Sequence, residues 1–280
     1  MRFRVRYDTL WSYASPVKAV IMVLRLTPRS HDGQHIAAWR IDLDVDCRLT
    51  ASEDAFGNIV HTFNADGPLQ HVGILVEGEV ETFDAAGIVR GSLERFPPQL
   101  YLRETPLTGA DAQLRAFALR VAAARDGPLD VLHGLMSAVH ETLAFDAKSA
   151  GTETTAAHAL AAKRGDCRDF AHVFIACARH LDIPARYVNG FFMPADGGVD
   201  QSRGHAWAEA FVPDIGWIGF DPVNDICPQE AHVRIACGLD YLGAAPVRAA
   251  CAGGSGEVPT MTVRAGQKPG KRQSQSQRQS

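Results

Sequence analysis

The chain has 280 residues, of which 46% are hydrophobic and 21% are charged, so it can bury the core of one large domain or two small ones. Its net charge of -4 and its pI of about 6.2 argue against a nucleic-acid partner and against an acidic membrane surface. We therefore predict a globular protein that binds neither.

The beginning of the chain, MRFRVRYDTLWSY, alternates polar and apolar residues. It has no apolar h-region, which predicts a strand and not a signal peptide. No run approaches the roughly 18 consecutive apolar residues of a membrane span. The six cysteines are scattered without a C-x-x-C pair, as expected for reduced thiols. Together these features predict a soluble, cytoplasmic protein without membrane contact.

The first third of the chain has the pattern of short strands separated by turns. Apolar residues alternate with arginines from Phe3 onward, and with arginine and aspartates from Trp39 onward. The pattern predicts strands at 1–13, 20–26, 39–45, 59–63 and 73–82. We predict that residues 1–97 form an antiparallel β-sandwich.

The segment Phe96-Pro97-Pro98 predicts a domain boundary, because two prolines stop regular structure. Beyond it the composition favours helices at 108–124 (capped by Thr108), 128–145, 152–163 and from Cys167 onward. Strands are then predicted at 185–193, 205–212, 217–221 and 258–263. Helices followed by an antiparallel sheet give residues 98–265 an α+β architecture. The low-complexity basic tail, 266–280, is predicted to be disordered.

Cys167 stands at the predicted start of an amphipathic helix. Asp166 and Asp169 have the spacing of a D-x-x-D variant of the capping box, which places Asp166 at the N-cap and Cys167 in the first turn. There the positive end of the helix dipole favours a thiolate. A small buried or inert cysteine is the alternative.

His205 and Asp221 fall on two successive strand-like runs, 205–212 and 217–221, which predict a hairpin. The two side chains share a face if the connection has three or five residues or contains a bulge, whereas a plain four-residue loop would separate them. We predict a shared face. The three residues follow the order of a thiol nucleophile, its base and an orienting carboxylate. The cysteine starts a helix, the histidine begins a strand, and the aspartate ends the next strand.

A metal site is the competing interpretation of the helix, since Cys167, His172, Cys177 and His180 include soft ligands. At about 100° per residue, however, His172 lies roughly 140° and Cys177 roughly 280° around the axis from Cys167. Such side chains cannot converge on one zinc ion. We predict no metal and no cofactor.

Three segments together resemble the transglutaminase-like superfamily, in its bacterial cysteine-hydrolase branch: GDCRDFAHVFIACARHLDIPARYVNGFF, GHAWAEAF and GWIGFDPVN. LRLTPR and DAFGN resemble the β-rich region that precedes this domain in many bacterial members, and VRIACGLDY resembles the segment that follows it. The resemblance spans residues 1–265. It implies a papain-like α+β fold in which Cys167 is the nucleophile, His205 the general base and acid, and Asp221 the orienting carboxylate.

The expected activity is hydrolysis of a peptide or amide bond in a peptide or protein substrate, through a thioester. Protein-glutamine cross-linking is the second candidate; it commonly needs calcium, and the sequence has no D-x-D-x-D-G loop. A catalytically silent binding protein is the third, and the presence of all three chemical residues argues against it.

Five further residues are expected at or near this site. The Cys167 N–H is expected to bind the oxyanion together with a second donor near Thr154, Thr155 or Trp207. Trp207 and Trp217 are expected to form walls of the site or to pack in the core. Asn224 is expected to help fix the Asp221 loop.

Overall fold

The computed structural model describes residues 1–147, 154–193, 200–201, 204–254 and 257–267. Its helices are α1 Ala112–Ala122, α2 Gly127–Thr142, α3 Ala156–Ala162, α4 Cys167–His180 and α5 Tyr241–Ala244, with a 3-10 helix at Pro98–Leu102. Its strands are β1 Arg2–Thr27, β2 Gln34–Leu43, β3 Thr50–Glu53, β4 Ile59–Thr82, β5 Ile88–Val89, β6 Ala144–Phe145, β7 Arg164–Gly165, β8 Ala185–Phe192, β9 Asp200–Gln201, β10 His205–Val212, β11 Gly216–Phe220, β12 His232–Gly238, β13 Val247–Ala252 and β14 Glu257–Gln267.

The larger sheet is built on the two long strands β1 and β4, which pair antiparallel along nearly their whole length. Its order is β2-β4-β1-β14-β9, with β13 also paired to β1 and β3 to β4. Alternate side chains of β1, beginning with Phe3 and Val5, are buried, as the period of two requires. The N-terminal region is therefore sheet-rich and antiparallel, as predicted.

The predicted strand lengths were wrong in this region. The runs at 1–13 and 20–26 belong to the single strand β1, and those at 59–63 and 73–82 to the single strand β4. Pairing between the two shifts register between Ser12 and Val17 and again before Ala19. A bulge changes the direction of a strand without ending its ladder, so residues with a turn-like composition here bend the sheet and do not interrupt it.

The smaller sheet has the antiparallel order β12-β8-β10-β11-β5 within the described residues, and α4 packs against β10. Strand β10 contributes Ala206, Ala208 and Ala210 to the buried core. Side chains this small let the backbone of the helix approach the sheet closely. The described helices and this sheet form the predicted α+β half.

Boundaries differ from the prediction in three of the helices. Helix α1 is capped by Asp111, whose carboxylate accepts a hydrogen bond of 2.8 Å from the Leu114 N–H, and not by Thr108. The Thr108 hydroxyl instead accepts from the buried Arg179 guanidinium at 2.7 Å. Helix α2 stops at Thr142 because the chain becomes extended at Leu143 and enters β6. Helix α3 begins after Thr155, and the start predicted for it at 152 lies outside the described residues.

Strands on the two sides of the predicted domain boundary pair with each other. The domain bounds themselves remain a prediction. Strands β13 and β14 return to pair with β1 in the larger sheet, and β5 pairs with β11 in the smaller one. Strand β14 extends two residues beyond 265, and residues 268–280 of the predicted tail lie outside the described residues. In the part of the chain that the structure describes, none of the helices has the length and apolar character needed to cross a membrane.

Candidate active site

Cys167 is the first residue of α4, and a capping box fixes its position. The Asp166 carboxylate accepts from the N–H groups of Arg168 (2.9 Å) and Asp169 (3.4 Å). The Asp169 carboxylate in turn accepts from the Asp166 N–H at 2.9 Å. This is the capping box predicted from the sequence. It leaves the thiol partly exposed at the end of the helix where backbone N–H groups have no intrahelical acceptor.

His205 and Asp221 lie on the same face of the β10–β11 hairpin. The last pair of the ladder is Val212 with Gly216, so the connection has three residues, one of the lengths compatible with the predicted shared face. Nε2 of His205 donates to Oδ2 of Asp221 at 2.7 Å. The Cys167 side chain is a second hydrogen-bond partner of His205. The structure thus brings together the three residues singled out in the sequence.

Electrostatic interactions determine the protonation states of His205 and Asp221. Burial disfavours a charged His205, but the charge and hydrogen bond of Asp221, with the Cys167 side chain, outweigh burial and raise the pKa of His205 to about 10. Burial likewise opposes ionisation of Asp221, and His205 and His232 overcome it and hold the pKa of that carboxyl well below its usual range. An imidazolium beside a carboxylate is therefore the form present at neutral pH.

His232 belongs to the same cluster and was not predicted. Its Nε2 donates to Oδ2 of Asp221 at 3.1 Å, and its Nδ1 accepts from the Gln229 N–H at 3.2 Å. No spacing in the sequence connects it with the hairpin, because β12 pairs with β8 and reaches Asp221 only across the sheet. Sheet order, not a local motif, was the missing information.

Asn224 fixes the Asp221 loop, as expected. Its Nδ2 donates to Oδ2 of Asp221 at 2.7 Å. The backbone N–H groups of Val223 (3.0 Å) and Asn224 (3.4 Å) donate to Oδ1. The buried carboxylate therefore has donors on both oxygens, which holds its plane in one orientation.

The two tryptophans have different surroundings. The Trp207 ring lies edge-on to His232, with centroids 5.3 Å apart, and 6.1 Å from His205, so it forms a wall of the site. Trp217 packs edge-on to Tyr101 at 5.0 Å and lies beneath the Arg186 guanidinium at 4.0 Å, which makes it a core residue.

The second oxyanion donor remains a prediction. Of its candidates, Thr155 caps α3 by accepting from the His158 N–H at 3.2 Å, and Trp207 stands against His205. Thr154 is half-buried beside the cap.

A buried ion network lies on the same strands as the cluster. Glu209 is inaccessible to solvent and accepts from Arg186 at 2.6 Å and from Arg234 at 2.7 Å. Arg186 also binds Glu94 through two hydrogen bonds. The arginines overcome burial and lower the pKa of Glu209 to about 2. One carboxylate thereby links β8, β10 and β12.

The cluster of His205, Asp221 and His232 has the composition of a metal site, with ligand atoms within 4.8 Å of one another. A histidine bound to metal through Nε2 carries its proton on Nδ1, which then donates. In His232 this atom faces the donating Gln229 N–H, so two donors would oppose each other. The residues present do not fit a resident metal.

The interpretation of α4 as a metal site can be compared with the positions of its residues. Nε2 of His172 accepts from the Tyr241 N–H at 3.1 Å. Cys177 is fully buried in the apolar core, where burial raises the pKa of its thiol to about 12. Both side chains already have structural surroundings of their own.

Comparison with known proteins gives matches over both halves of the chain. Residues 115–222 match the family model of the transglutaminase-like superfamily, and residues 3–81 match that of the bacterial transglutaminase-like N-terminal region. The chain is similar to an uncharacterised protein of Mycobacterium leprae, with 28% identity over 261 residues that cover 88% of this chain and 92% of that protein.

Two further proteins resemble parts or the whole of the chain. A protein-glutamine gamma-glutamyltransferase of Pseudomonas aeruginosa is 27% identical over 157 residues, which cover 51% of this chain and 23% of that protein. A solved structure from Cytophaga hutchinsonii, provisionally named a cysteine protease, matches with a TM-score of 0.77 at 20% identity and covers 95% of this chain and 90% of that one. The last likeness confirms the predicted α+β fold class.

Proposed function

We propose that this chain, which belongs to the transglutaminase-like superfamily, is a thiol-dependent hydrolase of peptide or amide bonds. The observation that carries the proposal is the hydrogen-bonded series from Cys167 through His205 to Asp221. A thiol at a helix N-terminus, paired with an oriented imidazole, is the arrangement of an activated nucleophile.

Acylation starts from the ion pair in which His205 holds the proton of the Cys167 thiol and Asp221 stabilises the positive charge of the imidazolium. The thiolate attacks the carbonyl carbon of the substrate, and the resulting oxyanion accepts from the Cys167 N–H and a second donor. His205 then gives its proton to the leaving nitrogen. The carbon–nitrogen bond breaks, the amine departs, and a thioester on Cys167 remains.

Deacylation reverses these roles with water as the nucleophile. His205 takes a proton from water, the oxygen attacks the thioester, and the carbon–sulfur bond breaks to return the thiol and a carboxylic acid. An amine attacking in place of water would form a new amide. This is the acyl transfer expected of a protein-glutamine acyltransferase, and the partial match to the Pseudomonas aeruginosa enzyme makes it the second candidate.

The experiment that tests the proposal separates these products. The protein is incubated with a mixture of peptides in water enriched in heavy oxygen, with and without a fluorescent primary amine. A hydrolase gives peptides that carry heavy oxygen in a new carboxylate, and an acyltransferase gives peptides that carry the amine.

Two variants make the result specific to the proposed nucleophile. Cys167→Ala should abolish product formation, whereas Cys251→Ala, which removes an exposed cysteine, should leave it unchanged. Equal product from wild type and Cys167→Ala would refute both chemical candidates.

A peptide or protein substrate in the cytoplasm is part of the proposal, and cell fractionation with an antibody to the chain tests the location.

A further inference from the structure

We propose that His232 is a positioning residue that holds the carboxylate of Asp221 and keeps the catalytic proton on His205. This inference rests on the proposed function, since it assigns His232 a role in the same site. The role differs from that of His205, because His232 bonds the Asp221 carboxylate, whereas His205 bonds both that carboxylate and the Cys167 side chain.

The two imidazoles share one oxygen of one carboxylate. Nε2 of His205 lies 2.7 Å and Nε2 of His232 lies 3.1 Å from Oδ2 of Asp221, and the ring centroids are 6.0 Å apart. If the carboxylate turned away from His205, it would also lose the bond to His232. The second imidazole therefore restricts the rotation on which the orientation of His205 depends.

Backbone geometry decides which imidazole carries the charge. The Gln229 N–H donates to Nδ1 of His232 at 3.2 Å, so this nitrogen must present a lone pair and Nε2 must carry the proton. His232 is thereby held neutral while it donates to Asp221. His205, whose second hydrogen-bond partner is the Cys167 side chain, can take a second proton from that thiol.

The surroundings of His232 favour the same assignment. The Phe192 ring lies 4.7 Å and the Trp207 ring 5.3 Å from it, centroid to centroid. Burial, with the charge of His205, lowers the pKa of His232, and Asp221 opposes this without reversing it. The small cavity beside His232 is also lined by His31, Glu209 and Arg234, where the charge of Glu209 is already compensated by arginine.

The test uses two substitutions of His232 and one matched control. His232→Leu removes the donor, and His232→Gln keeps an N–H donor of similar reach. The control is His61→Leu, which removes a half-buried histidine from β4 in the larger sheet. For each protein the rate of alkylation of Cys167 by iodoacetamide is measured from pH 5 to 8, so that no substrate is needed.

We expect His232→Leu to slow alkylation of Cys167 at pH 6 about tenfold, the rate equivalent of a hydrogen bond to a charged group at the low end of its range. The acidic limb of the pH profile should move to higher pH, because a poorly held Asp221 stabilises the imidazolium less. His232→Gln should restore most of the rate and the profile. A purely structural role would lower the melting temperature without moving the profile.

A second measurement uses only the wild-type protein and does not depend on folding of the variants. In NMR spectra of protein labelled with nitrogen-15 histidine, Nδ1 of His232 should be unprotonated and Nε2 protonated throughout pH 5 to 8, while both nitrogens of His205 carry protons. A titration of His232 within that range, or a proton on its Nδ1, would overturn the inference.

The two proposals fail in different ways. If Cys167 of the wild type reacts no faster than the other cysteines, the proposed function fails. If it reacts fast and His232→Leu behaves like His61→Leu, the thiol chemistry stands and the role of His232 is refuted.

Discussion

At the scale of single residues, Asp221 is the group on which the site converges. Its Oδ1 accepts from two backbone N–H groups, and its Oδ2 accepts from Asn224, His205 and His232. A buried carboxylate with this many donors stays ionised and stays in place. The high pKa of His205 is a consequence of that fixed negative charge.

Replacing Asp221 by Asn removes the charge but keeps the shape. Burial, which disfavours the imidazolium, then prevails, and the pKa of His205 should fall from about 10 to below its ordinary value. The imidazolium is lost at neutral pH, and alkylation of Cys167 near pH 6 should slow at least tenfold. NMR titration of His205 and the alkylation rate check the two effects.

Asp225→Asn is the matched control for this substitution. Asp225 lies four residues along the same loop and accepts from the Ser137 hydroxyl at 2.9 Å. The Asp225→Asn substitution should leave both the titration of His205 and the alkylation rate of Cys167 unchanged. A His205 pKa that stays near 10 in Asp221→Asn would contradict the electrostatic account.

The residues with local signals were predictable, and those without were not. Cys167, His205 and Asp221 each stand at the end of an element whose period and caps can be read along the chain. His232 lies near Asp221 only because of the order of the strands in the smaller sheet. That order depends on long-range pairing. The ion network of Glu209 was not predicted for the same reason. Its arginines come from two neighbouring strands.

At the scale of elements, the capping box of α4 affects both the stability of the protein and the reactivity of the Cys167 thiol. Asp166→Ala removes the acceptor of two N–H groups in the first turn and should lower the free energy of unfolding by about 0.5–2 kcal/mol. Because Cys167 is in that turn, its alkylation should slow as well. Urea unfolding and alkylation measure the two.

Asp111→Ala provides the comparison, since the Asp111 carboxylate also caps its helix, α1, by accepting from the Leu114 N–H. We expect a similar loss of stability and no change in the reactivity of Cys167. Equal slowing of alkylation in the two variants would mean that general loosening, and not the position of the first turn, controls the thiol.

The strands of the smaller sheet depend on the Glu209 network. Glu209→Gln leaves Arg234 and part of Arg186 without a compensating charge in a buried position. We expect the free energy of unfolding to fall by roughly 3–5 kcal/mol. Glu77→Gln, which breaks exposed pairs with Arg6 and Arg40, should change it little. A small effect of Glu209→Gln in urea unfolding would refute this assignment.

Helices were predicted better than long strands because their signals are local. The periodicity and the D-x-x-D spacing placed the start of α4 to the residue. Strands β1 and β4 were divided in the prediction at residues that bend the ladder. Whether a strand ends or bends depends on its partner, which a single segment does not reveal.

At the scale of the whole molecule, side chains of the N-terminal region complete the edge of the smaller sheet. Gln34 exchanges two hydrogen bonds with the backbone of Arg234, and Asn58 exchanges two of 2.8 Å with the backbone of Cys237. Both partners are in β12, the edge strand that carries His232. The N-terminal region thus supports the strand behind the candidate site.

Asn58→Ala tests this connection. It leaves the buried N–H and C=O of Cys237 without partners and should lower the free energy of unfolding by about 1–3 kcal/mol or more. Asn64→Ala, at an exposed position of β4, should have little effect. Urea unfolding compares them, and equal stability of the two variants would show that the amide of Asn58 does not join the sheets.

The central claim is that Cys167 is an activated thiol paired with His205. Its most direct test is the rate of iodoacetamide labelling of each of the six cysteines, followed by mass spectrometry of peptides at pH 6, in wild type and in His205→Ala. We predict that Cys167 is labelled fastest in the wild type and loses that advantage in the variant. Labelling of Cys167 no faster than the other five, or an unchanged rate in His205→Ala, would contradict the account.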